Sequence, residues 1–205
     1  MNNIESIKTW LSTGSINIFG MPMSGKDTVG RELAKMLDAV FLSSGAILRE
    51  AEENHECDPS TATGFLTPTD TFFKIVLPYF KKPELENRPL VLSSIGRWDG
   101  EENHVLASLK EARHETKAVI ILNLPETVAL FRRETALELG DRGLRGDDAD
   151  PKVFERRLQE YREKTLPVLE HYKKLGLAVE IDADQSREKV LSDVVVALAN
   201  LAKKS

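Results

Sequence analysis

Nine residues near the start of the chain, Gly20-Met21-Pro22-Met23-Ser24-Gly25-Lys26-Asp27-Thr28, have the types and spacing of a phosphate-cradling loop: a glycine, then Gly-Lys five residues on. In such a loop the backbone N–H groups converge on an anion, and the helix that follows adds partial positive charge from its N-terminus. The pattern assigns Gly20, Met23, Ser24, Gly25, Lys26, Asp27 and Thr28 to phosphate binding, with Lys26 reaching the outer phosphates of a nucleoside triphosphate. Asp27 is the oddity, because the residue after the lysine is usually Ser or Thr. A carboxylate about 4 Å from a phosphate charge costs about 4 kcal/mol at a near-surface dielectric. Asp27 therefore either points away or faces a Mg²⁺ ion that reverses the sign of the interaction.

A phosphate loop needs a strand before it and a helix after it. The apolar run Ile16 to Phe19 predicts that strand, and Val29, Leu33, Met36 and Leu37 predict a helix opening near Gly25. Ahead of them, Ile4, Ile7, Trp10 and Leu11 predict a short amphipathic helix. Further strands are predicted at 40–43, 90–93, 118–122 and 177–181, and helices at 46–52, 69–80, 103–115, from Pro125 towards Leu139, from Pro151 onward and at 187–201. Thr67 or Thr69 is the expected N-cap of the fourth helix, and Pro167 is expected to bend or restart the helix begun at Pro151. The stretch from Gly140 to Asp150, with three glycines, two arginines and four aspartates, reads as a mobile lid. Apolar strands alternating with helices predict an α/β fold: about five parallel strands covered on both faces.

The bulk properties exclude several classes. A chain of 205 residues with 41% hydrophobic and 30% charged residues is a globular protein of one domain. A net charge of -5 argues against nucleic acid as a partner. The start shows no signal peptide and no run reaches the length of a membrane span, so a cytoplasmic protein is expected. Cys57 is the one cysteine and cannot form an intrachain disulfide. With only His55 and Asp58 beside it, it reads as a polar loop residue rather than a metal ligand. His55, His104, His114 and His171 are all expected at the surface.

The loop resembles that of the adenylate kinase and nucleoside monophosphate kinase family, which places Pro third and Thr two residues after the lysine. Ser43-Ser44-Gly45-Ala46-Ile47-Leu48-Arg49 is similar to the family's second motif, whose arginine grips the acceptor phosphate. Gly64-Phe65-Leu66-Thr67-Pro68 resembles the turn along the acceptor nucleoside, and Ser94-Ile95-Gly96-Arg97 stands where the family has a motif ending in arginine. Leu124-Pro125-Glu126 leading to Arg132 is similar to the segment that covers the donor base. Arg145-Gly146-Asp147-Asp148, then Arg156, Arg157, Leu158 and Tyr161, resembles the lid hinge with its catalytic arginines, Arg156 and Arg157 being interchangeable in register. The similarity spans about residues 15–203, with a short lid that lacks cysteines for zinc.

That resemblance implies a P-loop NTPase fold in one nucleoside monophosphate kinase-like domain over 1–205, with an acceptor-binding region at about 44–80 and a short lid at about 133–150. The implied activity is transfer of a phosphoryl group from ATP, with Mg²⁺, to a nucleoside monophosphate, AMP favoured, by a monomer. Lys26, Arg97, Arg132, Arg145, Arg156 and Arg157 would be catalytic, and Arg132 and Gln185 would join the loop in binding ATP. Ser44, Gly45, Arg49, Gly64, Leu66, Arg97 and Glu101 would bind the acceptor, Glu101 standing nearest the place of the family's base-reading glutamine. Trp98 either lines the acceptor pocket or packs beneath it. The family's two magnesium-ordering aspartates are absent, at Ala46 and Ser93, and Asp27 is the candidate replacement. Two other readings keep the loop: a different P-loop small-molecule kinase, and an ATP-binding regulator without catalysis.

Overall fold

The computed structural model describes residues 3–58, 63–140 and 149–204. Five strands, β1 (Ser15–Gly20), β2 (Val40–Ser43), β3 (Leu90–Ser93), β4 (Thr116–Asn123) and β5 (Ala178–Asp182), form one parallel sheet in the order β2-β3-β1-β4-β5. The helices are α1 (Asn3–Leu11), α2 (Lys26–Leu37), α3 (Ser44–Glu53), α4 (Thr69–Tyr79), α5 (Glu101–Glu111), α6 (Glu126–Glu138), α7 (Pro151–Glu160), α8 (Leu166–Lys174) and α9 (Arg187–Ala202). After β1 the chain visits β2 and β3 on one side, then crosses to β4 and β5 on the other. That reversal opens a crevice at the carboxyl ends of β1, β3 and β4, the place where open α/β sheets bind ligands.

Alternation along the strands explains why both faces carry helices. Ile16, Ile18, Ile120 and Leu122 are buried against one layer, which includes Leu33 and Leu37 of α2 and Val194 and Leu198 of α9. Phe19, Val119 and Ile121 point the other way, onto Val168, Leu169 and Tyr172 of α8. Leu90 and Leu92 of β3 meet Leu48, Phe72, Val76 and Leu109 from α3, α4 and α5. Strands covered on both sides lose the apolar/polar alternation of an exposed sheet and read as continuous hydrophobic runs.

Most expected elements stand, and the departures have local reasons. Helix α5 starts at Glu101 and stops at Glu111, four residues short of the expected end, because His114 and Thr116 belong to the approach and start of β4. Pro68 rather than a threonine occupies the N-cap of α4. His114, expected at the surface, is 1% exposed, its Nδ1 lying 2.9 Å from the Thr13 carbonyl. Pro167 falls in the first turn of α8, and the turn before it, Tyr161–Thr165, opens into a π-helix in which Leu166 N–H donates to the Tyr161 carbonyl. Pro167 has no N–H to continue the α-helical ladder, which favours that wider turn. Residues 133–138, expected to begin a lid, continue α6, and 141–148 lie outside the described residues. Among the described residues, no helix is long and apolar enough to cross a membrane.

Helix α1 is part of the core, since Ile7 and Leu11 are both fully buried in the layer formed by α2 and α9. Leu11→Ala removes a fully buried side chain and is expected to lower unfolding free energy by about 2–5 kcal/mol. Urea denaturation checks this; an unchanged midpoint would show that α1 is an ornament on an independent fold.

Candidate active site

The phosphate loop is shaped by its glycines. A Cβ at Gly20 would sit 2.4 Å from Ser24 Oγ, so the end of β1 tolerates no side chain there. Gly25 caps α2 at φ 81°, a left-handed conformation that glycine adopts without strain. Met23 also takes a positive φ, 65°, at the crest. Lys26 is the first residue of α2, and its ammonium lies 3.5 Å from the Met21 carbonyl, folded back over the loop. Ser24 Oγ is buried without a hydrogen-bond partner among the described residues.

Two clefts open from this loop. The larger, a cavity of about 590 Å³, is lined by 22–29, by Phe131, Arg132, Thr135, Ala136 and Leu139 of α6 and its end, and by Ala183, Gln185, Ser186, Arg187 and Val190. That volume lies within the range of small-molecule sites. Arg132 ties its walls together: the guanidinium donates to Ala183 O (2.7 Å), Met23 O (3.3 Å) and Gln185 O (3.4 Å). The Gln185 amide donates to Asp182 O and to Asp193, so this side chain braces the 182–186 loop from within. Phe131 and Leu139, 66% and 78% exposed, offer apolar surface at the rim. Sequence reading missed both, though two large apolar residues left over from the buried stripe of α6 are a recognisable signal.

The second cleft, of about 60 Å³, is lined by Gly20, Pro22, Lys26, Gly45, Arg49, Gly64 to Thr67, Ser94, Arg97, Arg157, Glu160, Tyr161 and Thr165. It therefore collects Arg49 from α3, Arg97 from the loop after β3 and Arg157 from α7. Gly45 leaves room for the Arg49 side chain, since a Cβ would lie 3.1 Å from its Nη1. Gly64 has φ 82°, and a Cβ there would meet the Val153 carbonyl at 2.8 Å. Ser44 is buried and works from behind, its hydroxyl donating to Ser94 O at 2.8 Å. Pro22, Lys26 and Arg157 line both clefts, which therefore meet between the lysine and the arginine.

The two adjacent arginines separate. Arg157 faces both clefts, whereas Arg156 donates to Thr63 O at 2.7 Å and stacks over Phe65, 4.3 Å from the ring centroid. Arg156 thus clamps the 63–66 turn. Arg145 lies outside the described residues, as do Asp147 and Asp148.

Glu101 corrects an expectation. It is 2% exposed, with Oε2 accepting from the N–H groups of Arg97 (2.9 Å) and Trp98 (3.1 Å) and Oε1 accepting from the Thr69 hydroxyl (2.9 Å). The carboxylate that was to read a base instead closes the 94–100 loop and fixes the backbone from which Arg97 projects. Burial pushes its pKa up, against the lowering effect of these three donors and of the nearby Arg97 charge. Trp98, within that loop, lines neither cleft, and the Lys164 ammonium lies 3.9 Å from its ring centroid.

Asp27 stands at the mouth of the larger cleft, and its Oδ1 accepts from the Ser93 hydroxyl at 2.5 Å. Ser93 closes β3 and Asp27 lies in the first turn of α2, so the bond holds the carboxylate between β3 and the phosphate loop.

No protein-family model matches the sequence. Curated relatives do. The chain is 30% identical over 192 residues to an adenylate kinase of Azobacteroides pseudotrichonymphae, covering 91% of this chain and 98% of the relative. It is 29% identical over 186 residues to adenylate kinase 2 of Nostoc sp. (88% and 96%) and 28% identical over 203 residues to a UMP-CMP kinase of Lentinula edodes (91% and 86%). A phosphate loop with one cleft on each side, in a chain that aligns with these proteins nearly end to end, places it in their family: it belongs to the adenylate kinase and nucleoside monophosphate kinase family.

Proposed function

We propose that the chain transfers the terminal phosphoryl group of ATP, bound in the larger cleft, to a nucleoside monophosphate bound in the smaller one, with AMP the favoured acceptor. The observation that carries this reading is the meeting of the two clefts between Lys26 and Arg157. In-line transfer needs both phosphates at one point with their charge offset by fixed cations, and little else. The acceptor phosphate is itself the nucleophile and is largely ionised at neutral pH, which removes the need for a general base. AMP as acceptor follows the adenylate kinases among the relatives.

Each cation has a place in this scheme. Lys26 and the loop N–H groups hold the donor's outer phosphates. Arg49 and Arg97 hold the acceptor phosphate, the planar guanidinium matching its oxygens. Arg157, reaching both clefts, stabilises the charge that develops on the group in transit. Arg132 shapes the donor wall, with Phe131 and Leu139 as apolar surface for the base. Region 44–80 forms the acceptor side.

Asp27 fits a Mg²⁺ ion travelling with ATP. A carboxylate on the first turn of the helix that receives phosphates is unfavourable there without a cation. Among the described residues no group of three or more acidic, His or Cys side chains could hold a metal. One carboxylate plus phosphate oxygens and water is a common magnesium arrangement. Bound there, the ion would screen the phosphate oxygens and orient the chain of phosphates. The residues' own part is to hold Asp27 in place, through Ser93.

The first test is ADP formation with ATP, Mg²⁺ and each of AMP, CMP, UMP, GMP and dTMP. Turnover with AMP ahead of the others is expected; ATP binding without turnover on any acceptor would reject the proposal. Arg157→Ala is expected to lower kcat about 100-fold or more, while Arg156→Ala mainly raises the acceptor KM; equal effects would undo the division of roles between them. Asp27→Asn should weaken binding of ATP with Mg²⁺ while leaving metal-free ATP bound as well or better. Titration calorimetry with and without the metal decides this, and an unchanged difference between the two would remove Asp27 from the metal site.

A further inference from the structure

One side chain of the smaller cleft opposes the chemistry of its neighbours. Glu160 ends α7, is 5% exposed, and lines a cleft that holds Lys26, Arg49, Arg97 and Arg157. A buried carboxylate persists only when donors satisfy it. Its Oε2 accepts from the Leu66 N–H at 3.0 Å and from Lys164 Nζ at 2.7 Å. Its Oε1 has no hydrogen-bond partner among the described residues. The residue itself is part of the cleft wall, beside Arg157 and Tyr161.

The neighbours of Glu160 keep it there. Lys164 lies four residues on, within the π-helical turn, and its ammonium is also held over the Trp98 ring. Leu66 belongs to the turn that Arg156 clamps through Thr63 and Phe65. The carboxylate is thus anchored by one oxygen to two segments, in a residue that lines the cleft, and its other oxygen remains available.

Position and charge decide what that oxygen meets. Glu160 follows Arg157 by three residues, on the same helical face and about 4.5 Å further along the axis. Arg157 marks the meeting point of the clefts, where the phosphate lies on the kinase reading above, and a carboxylate cannot share a phosphate's position. The part of a nucleoside monophosphate next to its phosphate is the ribose, which presents hydroxyl donors. A carboxylate only accepts, and its bond to a hydroxyl is charge-assisted and short. We infer that Glu160 accepts a hydrogen bond from a ribose hydroxyl of the acceptor nucleotide and makes the enzyme select ribonucleotide over deoxynucleotide acceptors. The inference rests on the kinase reading and adds a specificity-determining residue to it.

The experiment compares kcat/KM for AMP, its 2′-deoxy and 3′-deoxy analogues, and inosine monophosphate, which lacks the exocyclic amine. The wild-type protein, Glu160→Met, Glu160→Gln and Lys164→Met are assayed together. A site built to bond a hydroxyl rejects the analogue without it, so the wild type should prefer AMP over one deoxy analogue by about tenfold or more. Glu160→Met should reduce that preference to about twofold, Glu160→Gln should reduce it in part while still offering an oxygen to Leu66, and Lys164→Met, which removes one of the two anchors, should reduce it less than Glu160→Met. If both Glu160 variants slow all acceptors by one common factor, Glu160 only holds the turn and the inference is wrong. A wild type indifferent to the hydroxyls overturns it, as does a preference that tracks the base amine. Absence of turnover with every nucleoside monophosphate overturns the kinase reading beneath it, a distinct result.

Discussion

Two phosphate groups brought within bonding distance repel each other, and the surroundings of the carboxyl end of β1 are organised against that repulsion. Lys26 and Arg157 stand where the two clefts meet, with Arg49 and Arg97 on one side. These four cations come from four separate stretches of chain, and only the strand order brings them to one point. Because β1 lies between β3 and β4, the loop after it is flanked by the ends of both. Gly20 then allows the loop to turn tightly against Ser24 at the place where the cations converge. Water-exposed cations would be screened; at the base of a cleft each acts through a lower dielectric.

Three carboxylates lie among these cations, and each is held by a different means. Asp27, in the wall of the larger cleft, is tied to Ser93. Glu101 is turned inward onto two backbone N–H groups and Thr69, and its charge organises the loop of Arg97 without facing a ligand. Glu160, in the wall of the smaller cleft, is held through one oxygen by the Leu66 N–H and Lys164. Buried acidic groups in a phosphate site would weaken it unless their charge were directed elsewhere. Here hydrogen bonds do the directing.

Helix α7 has a second part in this arrangement. Arg156 and Glu160 reach the 63–66 turn from one face, and Arg157 lines both clefts. The turn and the junction arginine therefore share one rigid support.

Local chemistry carried much of this in the sequence. The spacing of Gly20, Gly25 and Lys26 and the apolar runs that became five strands were legible because they depend on neighbours a few residues away or on burial of both sheet faces. What the sequence could not decide involved partners far along the chain. Arg156 and Arg157 are the same residue type one position apart, and only the facing of α7 sends one to Thr63 and the other to the clefts. Glu101 sits where a base-reading residue was expected, yet the loop of Arg97 and Trp98 folds back onto it and takes up its oxygens. His114, by type a surface residue, is buried beside the Thr13 carbonyl, 101 positions earlier. Glu160 carried no motif at all, and its place in the cleft follows from a helix packing against a turn 94 residues away. A side chain's role in each case is set by which hydrogen-bond partner the tertiary fold delivers, and residue type leaves that choice open.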